Sequence, residues 1–595
     1  MRVVRSFTTP PVTVLASGHA PSAGLDRRRS RWLGPVLAGL LATLAACGGG
    51  SAPQVPIQSD AEAVRFLDQA SFGATEAEIA EVRLRGADGW IDAQLAMPAT
   101  SAREFWESLD AVNRASDPAA VSRNEVQYTF WRNAVTAPDQ LRQRVAWALS
   151  QIFVVSAADS AVGEHPRGIM AYHDMLATHG LGSFRELLRQ VSLSPVMGAY
   201  LSHLRNQKDD PATGRVPDEN YAREVMQLFS IGLVELNPDG SVRRSGGVPI
   251  ETYDAADVSG LARVFTGWSL PCGDQSNACY FGWSTAPSPD PDAWIKPMSP
   301  YGRFHASSVK TFLGSTIADQ GSAPNPQASL ERALDRLASH PNVAPFIGRQ
   351  LIQRLVTSNP SPAYVARVSA VFNASGGNLG AVVRAILLDS EARRAPDATQ
   401  VEAGRLREPV LRLARMLRAF GAQSVSGTWR IGNTDDPATS LGQTPWRSPS
   451  VFNFYRPGYV PPNTRAGALG LTVPEMQISH ETSVAGYANH LRGVLQNGAV
   501  GDVAPGQTQR DVQLPMDAER FRANQPAALV AWVDARLFGG AMPAALRAEI
   551  VAAVESVSLP APTATNAATR DNALRNRLRL AIYLAMVSPE WLLQS

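Results

Sequence analysis

The chain has 595 residues, enough for two to four folding units, and its 45% hydrophobic and 18% charged residues are the balance of an ordinary globular protein. The net charge is +2, but residues 1–46 hold six Arg and one Asp, so the rest of the chain is slightly acidic, at about −3. This distribution excludes a basic nucleic-acid-binding domain, and we expect no nucleic-acid partner.

The first 46 residues carry the pattern of a signal peptide. A basic run (RRRSR, residues 27–31) precedes an apolar run from Trp32 to Ala45 that is too short to cross a bilayer core of roughly 30 Å as a helix. Residues 44–47 (LAAC) resemble a bacterial lipobox, in which the Cys is lipid-modified and becomes the new N-terminus. The alternative is a plain secretory signal with a chance Cys.

The residue after Cys47 is Gly48 rather than Asp, which resembles the signals of lipoproteins that are sorted to the outer membrane. Acyl chains contribute about 0.8 kcal/mol per buried CH2, so several would hold the protein stably on a membrane. We therefore predict a lipoprotein of the bacterial cell envelope, at the outer membrane, with residues 47–60 as a flexible tether.

Beyond the tether, the hydrophobic periodicity is mostly helical. Leu141, Val145 and Leu149, for example, fall on one face of a helix. We expect a mainly α fold over residues 61–595, a large multi-helix region with a few short strands. The individual helices are predicted over 139–153, 183–193, 220–233, 330–337, 344–356, 362–372, 406–420 and 570–587.

Pro, Gly and Ser interrupt this pattern in two long segments. Residues 270–314, which are also rich in aromatics, predict an irregular insertion, and residues 424–465 predict a second irregular stretch. Residues 500–515 and 556–570 are expected to be linkers or surface loops. Cys272 and Cys279 close a short polar loop, which favours a disulfide in an oxidising envelope over a metal site, because other ligands at suitable spacing are missing.

Six short runs of sequence resemble motifs of one large bacterial family. They are FLDQASFGAT (66–75), DENYAREVMQLF (218–229), DVSGLARVFTGW (257–268), HASSVKTFLG (305–314), LREP (406–409) and PSVFNFY (449–455). The family is DUF1800, bacterial secreted proteins of unknown function, and the resemblance extends over roughly residues 60–595.

The resemblance implies a partner but no reaction. DUF1800 proteins are often encoded beside an envelope protein of the DUF1501 family, which is similar to sulfatases and alkaline phosphatases, so we expect such a protein as a possible partner. Two departures from the family pattern argue against a carboxylate role at position 306 and against a metal site built on the family's His residues. Ala306 stands where the family motif has Asp, and Ser150 and Ile152 stand where many members have His.

The run at 218–224 is the first candidate site. On a helix, Asn220 lies beside Glu224 and Glu219 beside Arg223, with Asp218 as a capping residue and Tyr221 buried. An ordinary capped helix explains the pattern equally well. The functional alternative is that Arg223 and Glu224 face a pocket as acid/base or ion-pair groups. Oxygen-bearing residues upstream do not have the spacing of a calcium-binding EF-hand loop, so no metal site is predicted.

The second candidate is His305 with Lys310. A His near neutral pKa suits proton transfer, although a lone His is more often a structural hydrogen-bonding group. Lys310 is one of only three Lys among 55 basic residues. Arg263 and Trp268, together with Arg223, could form an anion- or sugar-binding wall, or Trp268 could simply be a core aromatic.

Two functions remain open. The sequence has no nucleophile elbow, Walker loop, zinc-protease motif or haem-attachment motif, and no cofactor is expected. The first hypothesis is a non-catalytic envelope component that binds a partner protein or polymer. The alternative is an envelope hydrolase whose site gathers Arg223, Glu224, His305 and Lys310.

Overall fold

About half of the α-helices in the described residues begin where a polar side chain caps the first turn. The computed structural model describes residues 56–286, 290–395 and 400–594. Thr75 and Glu78 form a reciprocal capping box, and Ser101, Asn325 and Asn378 each accept a backbone N–H of the helix that follows. Cys47 and residues 1–46 lie outside the described residues.

The helices fall into three groups along the chain. Those before residue 201 are Asp60–Ala70, Glu76–Ala96, Ala102–Ser116, Glu125–Thr136, Gln140–Ser150, Ser160–Gly163, Pro166–His179, Phe184–Leu193 and Pro195–Tyr200. Those up to residue 395 are Asn220–Gln227, Ala255–Val264, Asn277–Phe281, Pro326–Ala338, Val343–Leu355, Pro362–Ala374, Leu379–Leu388 and Ser390–Arg393. Those after residue 400 are Pro409–Ala419, Arg465–Ala468, Glu481–Asn497, Pro526–Phe538, Ala544–Ser556, Ala567–Val587 and Pro589–Leu592. Single-turn or longer 3-10 helices occupy Gly302–Phe304, Pro474–Ile478 and Pro515–Asn524.

The strands are short and pair antiparallel. The two-stranded pairs are Arg244–Ser245 with Val248–Pro249, Trp268–Ser269 with Ser299–Pro300, Lys310–Phe312 with Ser315–Ile317, and Arg405–Leu406 with Leu593–Gln594. A three-stranded sheet has Arg510–Gln513 between Gln423–Ser424 and Ala499–Val503. The predicted mainly α fold is thus confirmed. No helix among the described residues is long and apolar enough to cross a membrane.

Three of the predicted elements were wrong in extent or kind. The helix predicted over 220–233 ends at Gln227, because the N–H groups of Ile231 and Gly232 both turn back to the carbonyl of Met226. The helix predicted over 406–420 begins at Pro409, because Leu406 pairs in a strand. The loop predicted over 500–515 contains two paired strands.

Two large hydrophobic cores meet at a layer of buried polar groups, and a small third cluster forms around Tyr280 and Tyr301. The first core is built from apolar residues between Ile57 and Ala392, with Trp446 added, and the second mainly from residues after 409. The Gln140–Ser150 helix belongs to both, because Leu141 packs in the first core and Trp147 in the second. Polar side chains from this helix therefore enter the layer between the cores.

Candidate functional site

The predicted polar run at 218–224 is largely at the surface. Asn220 is exposed, and Arg223 forms an exposed ion pair with Glu219 at 3.2 Å. Asp218 does not cap the helix directly, but its Oδ1 accepts the N–H of Asn220 at 2.8 Å. An ion pair this exposed contributes about 1 kcal/mol or less.

Glu224 lies on the buried side of the same helix. Only 7% of its surface is exposed, and its Oε2 has no hydrogen-bond partner among the described residues. Burial raises the pKa of Glu224, and the guanidinium of Arg223 opposes that rise. Of the predicted residues in this run, Glu224 is the one with the environment of an acid.

Tyr221 and Trp268 are packed into the protein interior. The Tyr221 hydroxyl donates to Ser192 Oγ at 2.7 Å, and its ring stacks on His203 with 3.8 Å between ring centroids. Burial raises the pKa of Tyr221 above its ordinary range. Trp268 is 3% exposed and pairs with Pro300 in a short strand. Neither ring is open to a ligand.

His305 is buried among neutral partners. Its Nδ1 lies 2.8 Å from the carbonyl oxygen of Thr266, and its Nε2 lies 3.0 Å from Ser329 Oγ. Burial lowers the pKa of His305 to about 4, despite the hydrogen bond to Thr266. His305 and Ser329 are both inaccessible to solvent, so this pair has no route to a substrate in the described structure.

Lys310 is the neighbour of His305 and Arg263. Its Nζ has a long hydrogen bond of 3.4 Å to the carbonyl of Ser308. Burial lowers the pKa of Lys310 to about 8, with Asp319 opposing and Arg263 adding to the shift. The charged groups that act on Lys310 thus differ from the one that acts on Glu224.

The predicted disulfide is present. Cys272 and Cys279 are bonded, with their Cα atoms 5.6 Å apart. The bond closes the loop before Tyr280, whose ring stacks on Phe304 at 3.8 Å between centroids. Cys272 and Cys279 thus have a structural place inside the irregular 270–314 segment. Within the described residues no cluster of metal-ligating side chains occurs.

A different group of side chains surrounds Glu408 between the two cores. Its Oε1 accepts Trp147 Nε1 at 2.9 Å. Its Oε2 accepts Gln151 Nε2 and Gln443 Nε2 at 2.7 Å each, and the Tyr455 hydroxyl at 2.8 Å. Although burial alone would raise the pKa of Glu408, the nearby arginines outweigh it, and the pKa is lowered.

Three buried arginines share this layer with two carboxylates, Glu408 and Glu475. Arg405 binds Glu475 through Nε at 3.0 Å and Nη2 at 2.6 Å. Arg144 and Arg354 have no such partner and donate to backbone carbonyls instead. Burial lowers the pKa of each of these two to about 10, against the attraction of Glu408. The layer as defined by these five residues has one more cation than anions.

A cavity of about 390 Å³ opens beside this layer. Much of its wall is apolar, and the residues that form it include Ile152, Leu228, Leu233, Val234, Phe346 and Phe452. Its polar wall contains Gln151, Gln350, Gln353, Arg349, Arg354 and Arg456. Asp and Glu are absent from the described residues that line it.

Three of the six motifs singled out in the sequence meet at this cavity and at Glu408. Leu228 comes from the 218–229 run, and Phe452 and Tyr455 come from the 449–455 run. Glu408 itself belongs to the 406–409 run. Arg349, Arg354 and Arg456 line the cavity but lie outside every motif and candidate group singled out in the sequence.

Fold and cavity define a mainly α-helical protein with a ligand-sized, arginine-lined cavity next to a buried charged layer. The chain belongs to the family described as Protein of unknown function (DUF1800), whose model matches residues 65–593. No curated protein and no solved structure matches the chain.

Proposed function

We propose that this protein is a lipid-anchored component of the bacterial envelope, at the outer membrane, that acts by binding and not by catalysis. The anchor is Cys47, supported by the basic run, the short apolar run and the lipobox-like residues that precede it. The resemblance to DUF1800 proteins supports a DUF1501-like envelope protein as the partner.

The observation that carries the proposal is the make-up of the cavity. Its lining supplies apolar surface and hydrogen-bond donors, which is the composition of a ligand-binding pocket. The candidate acid/base groups Glu224 and His305 are not among its lining residues, and His305 is wholly buried. An active site needs such groups within reach of one accessible cavity.

One observation supports the alternative function of a hydrolase. Glu224 has a raised pKa and an unpartnered buried Oε2, as a general acid would. In that alternative Glu224 would work with Arg223, and His305 with Lys310 would complete the site.

One experiment separates the two functions. The full chain is cross-linked in its own envelope and purified as wild type, Glu224→Gln, His305→Ala and the matched control Glu219→Gln, which changes an exposed Glu at the start of the same helix. We expect a DUF1501-like protein to co-purify equally from all four. Products released from isolated envelopes by wild type but not by Glu224→Gln or His305→Ala would contradict the binding function.

The anchor is tested separately. Cys47→Ala should leave the protein unlabelled by radioactive palmitate and shift it from the membrane fraction. Labelling that persists in Cys47→Ala would refute the anchor assignment.

A further inference from the structure

We infer that the cavity binds an anionic amphiphile, with its charged head at Arg349, Arg354 and Arg456 and its apolar chain along Leu228, Leu233 and Phe346. The inference rests on the proposed binding function and names the ligand class of that site. Carboxylate or phosphate heads share the required chemistry, so a free fatty acid and a phospholipid are the two sources to distinguish.

The positive charge of the cavity wall is not balanced by any Asp or Glu among the described residues that line it. The Arg349 side chain makes no hydrogen bond or ion pair with the described residues, and burial lowers its pKa. The Arg456 guanidinium lies 4.8 Å above the Phe452 ring and has no carboxylate partner among the described residues. Guanidinium groups prefer planar oxyanions, which they bind through paired hydrogen bonds. The negatively charged head of a ligand would supply such an oxyanion to Arg349 and Arg456.

The buried layer behind the cavity also carries one more cation than anions. Arg144 and Arg354 are buried with Arg405, against the carboxylates of Glu408 and Glu475. Removing an ion from water is costly unless an opposite charge lies close by. Because Arg354 belongs to both the layer and the cavity wall, an anion in the cavity would offset the surplus cation.

Two polar side chains at the cavity wall have donor atoms without a hydrogen-bond partner among the described residues. Gln350 is 8% exposed and Arg354 is 4% exposed, and both line the cavity. Gln350 Nε2 and Arg354 Nε are buried and have no hydrogen-bond partner among the described residues. Buried donors are nearly always satisfied in folded proteins, so both donors call for an oxygen-bearing partner that the described residues do not supply.

The rest of the wall fits the apolar part of such a ligand. Leu228, Val234 and Phe346 line the cavity, and the volume of about 390 Å³ lies within the range of small-molecule sites. Leu233 is 57% exposed although it lies at the wall. An acyl chain would cover it, whereas a purely polar anion would leave it in water.

The test measures binding by isothermal titration calorimetry. The full chain is transferred from detergent to a non-ionic amphipathic polymer and titrated with three probes below their micelle-forming concentrations. The probes are dodecanoate, monododecyl phosphate and uncharged 1-dodecanol. Decanoate serves as a shorter-chain comparison, and we expect it to bind about tenfold more weakly than dodecanoate.

Two variants probe the two ends of the ligand. Gly458 lines the cavity, and a Cβ built on it meets no atom within 4 Å, so Gly458→Trp places a large side chain at the cavity wall without backbone strain. Gly493→Trp is its matched control, because Gly493 is equally open but lines another cavity. Arg349→Met removes a head-group contact, and Arg332→Met on the exposed face of a neighbouring helix controls for lost charge.

The expected result is binding of one or both anions at least tenfold tighter than 1-dodecanol. Arg349→Met should weaken the anions by about 10- to 100-fold and leave 1-dodecanol unchanged. Gly458→Trp should abolish binding of every probe, while both control variants bind as wild type. Binding of monododecyl phosphate alone indicates a phospholipid head, and tighter binding of dodecanoate indicates a fatty acid.

Three results would overturn the inference: no probe binds, 1-dodecanol binds as tightly as the anions, or Gly458→Trp binds like wild type. Each of these leaves the proposed binding function standing if the envelope partner still co-purifies. Product release that depends on Glu224 would overturn the proposed function, whatever the probes do.

Discussion

Glu408→Gln is expected to destabilise the protein strongly while barely changing its shape. Glu408 accepts four hydrogen bonds, from Trp147, Gln151, Gln443 and Tyr455. A glutamine amide has the same outline but replaces one acceptor oxygen with an NH2 donor. One of the four donors would then face another donor.

The magnitude follows from the charges around Glu408. Without its carboxylate, the buried guanidinium groups of Arg144, Arg354 and Arg405 face Glu475 alone. Breaking a buried ion pair by removing one partner costs about 3–5 kcal/mol, and the lost charged hydrogen bond is part of that figure. We expect the free energy of unfolding to fall by about 4 kcal/mol, a large share of a typical stability.

Urea unfolding, followed by tryptophan fluorescence, measures this loss. Glu219→Gln is the matched control, because Glu219 forms an exposed ion pair with Arg223 and its loss should cost about 1 kcal/mol or less. The slope of the free energy with urea should be equal in both variants, so that the midpoints compare directly. A Glu408→Gln midpoint equal to that of Glu219→Gln would show that the buried layer is not held together by this charge.

Three further predictions concern single groups. Lys310→Met should stabilise the protein by about 1–3 kcal/mol at pH 7, because burial disfavours the ammonium. The gain should shrink as pH rises above the native pKa of about 8 and vanish only above the unfolded pKa of 10.5, where the lysine is neutral in both states; equal midpoints at pH 7 would contradict this. The native pKa of His305 is about 4, below its unfolded value near 6.5, so His305 stabilises fully above pH 6.5 and loses up to roughly 3 kcal/mol as pH falls to 4. His305→Gln should flatten the loss of stability over that interval in urea titrations, and an unchanged slope would argue against a buried neutral imidazole. Cys272→Ser opens a bond with a sequence separation of seven and should lower the unfolding free energy by about 2 kcal/mol relative to Cys47→Ala.

Helix positions were readable from the sequence because they depend on local periodicity, but their ends depend on distant contacts. The helix at 220 stops early because Gly232 turns with a positive φ of 73° against the ring of Phe346, more than 100 residues away. In the same way, Leu406 leaves the helical pattern because the C-terminal Leu593 pairs with it. Gly232 is itself a local stop signal that the predicted range ran past, whereas the pairing with Leu593 leaves no signal near Leu406.

The abundance of arginine was visible in the composition, but its placement was not. Arg144 and Arg354 each donate to backbone carbonyls from inside the protein, and Arg405 holds Glu475 through two nitrogens. A lysine has one nitrogen and could not make this set of bonds. The hydrogen-bond geometry therefore requires arginine rather than lysine at these three positions.

The candidate site was found only in part, because a cavity is assembled from segments that are far apart in the chain. Residues near 151, 228, 350 and 456 share its wall, and each is an ordinary residue in its local sequence. The rare residues that attracted attention, His305 and Lys310, proved to be buried in a different place. The 218–229 and 449–455 motifs marked the region but not the arginines that give it its charge.

The most direct test of the account is to identify what the cavity holds in the cell. The full chain is purified from its own envelope as wild type and as Gly458→Trp, extracted with organic solvent, and the extracts are compared by mass spectrometry. The account predicts an anionic amphiphile, near one molecule per chain, in the wild type and its loss in Gly458→Trp. Equal amounts in both proteins, or an uncharged or purely polar ligand displaced by the same substitution, would contradict it.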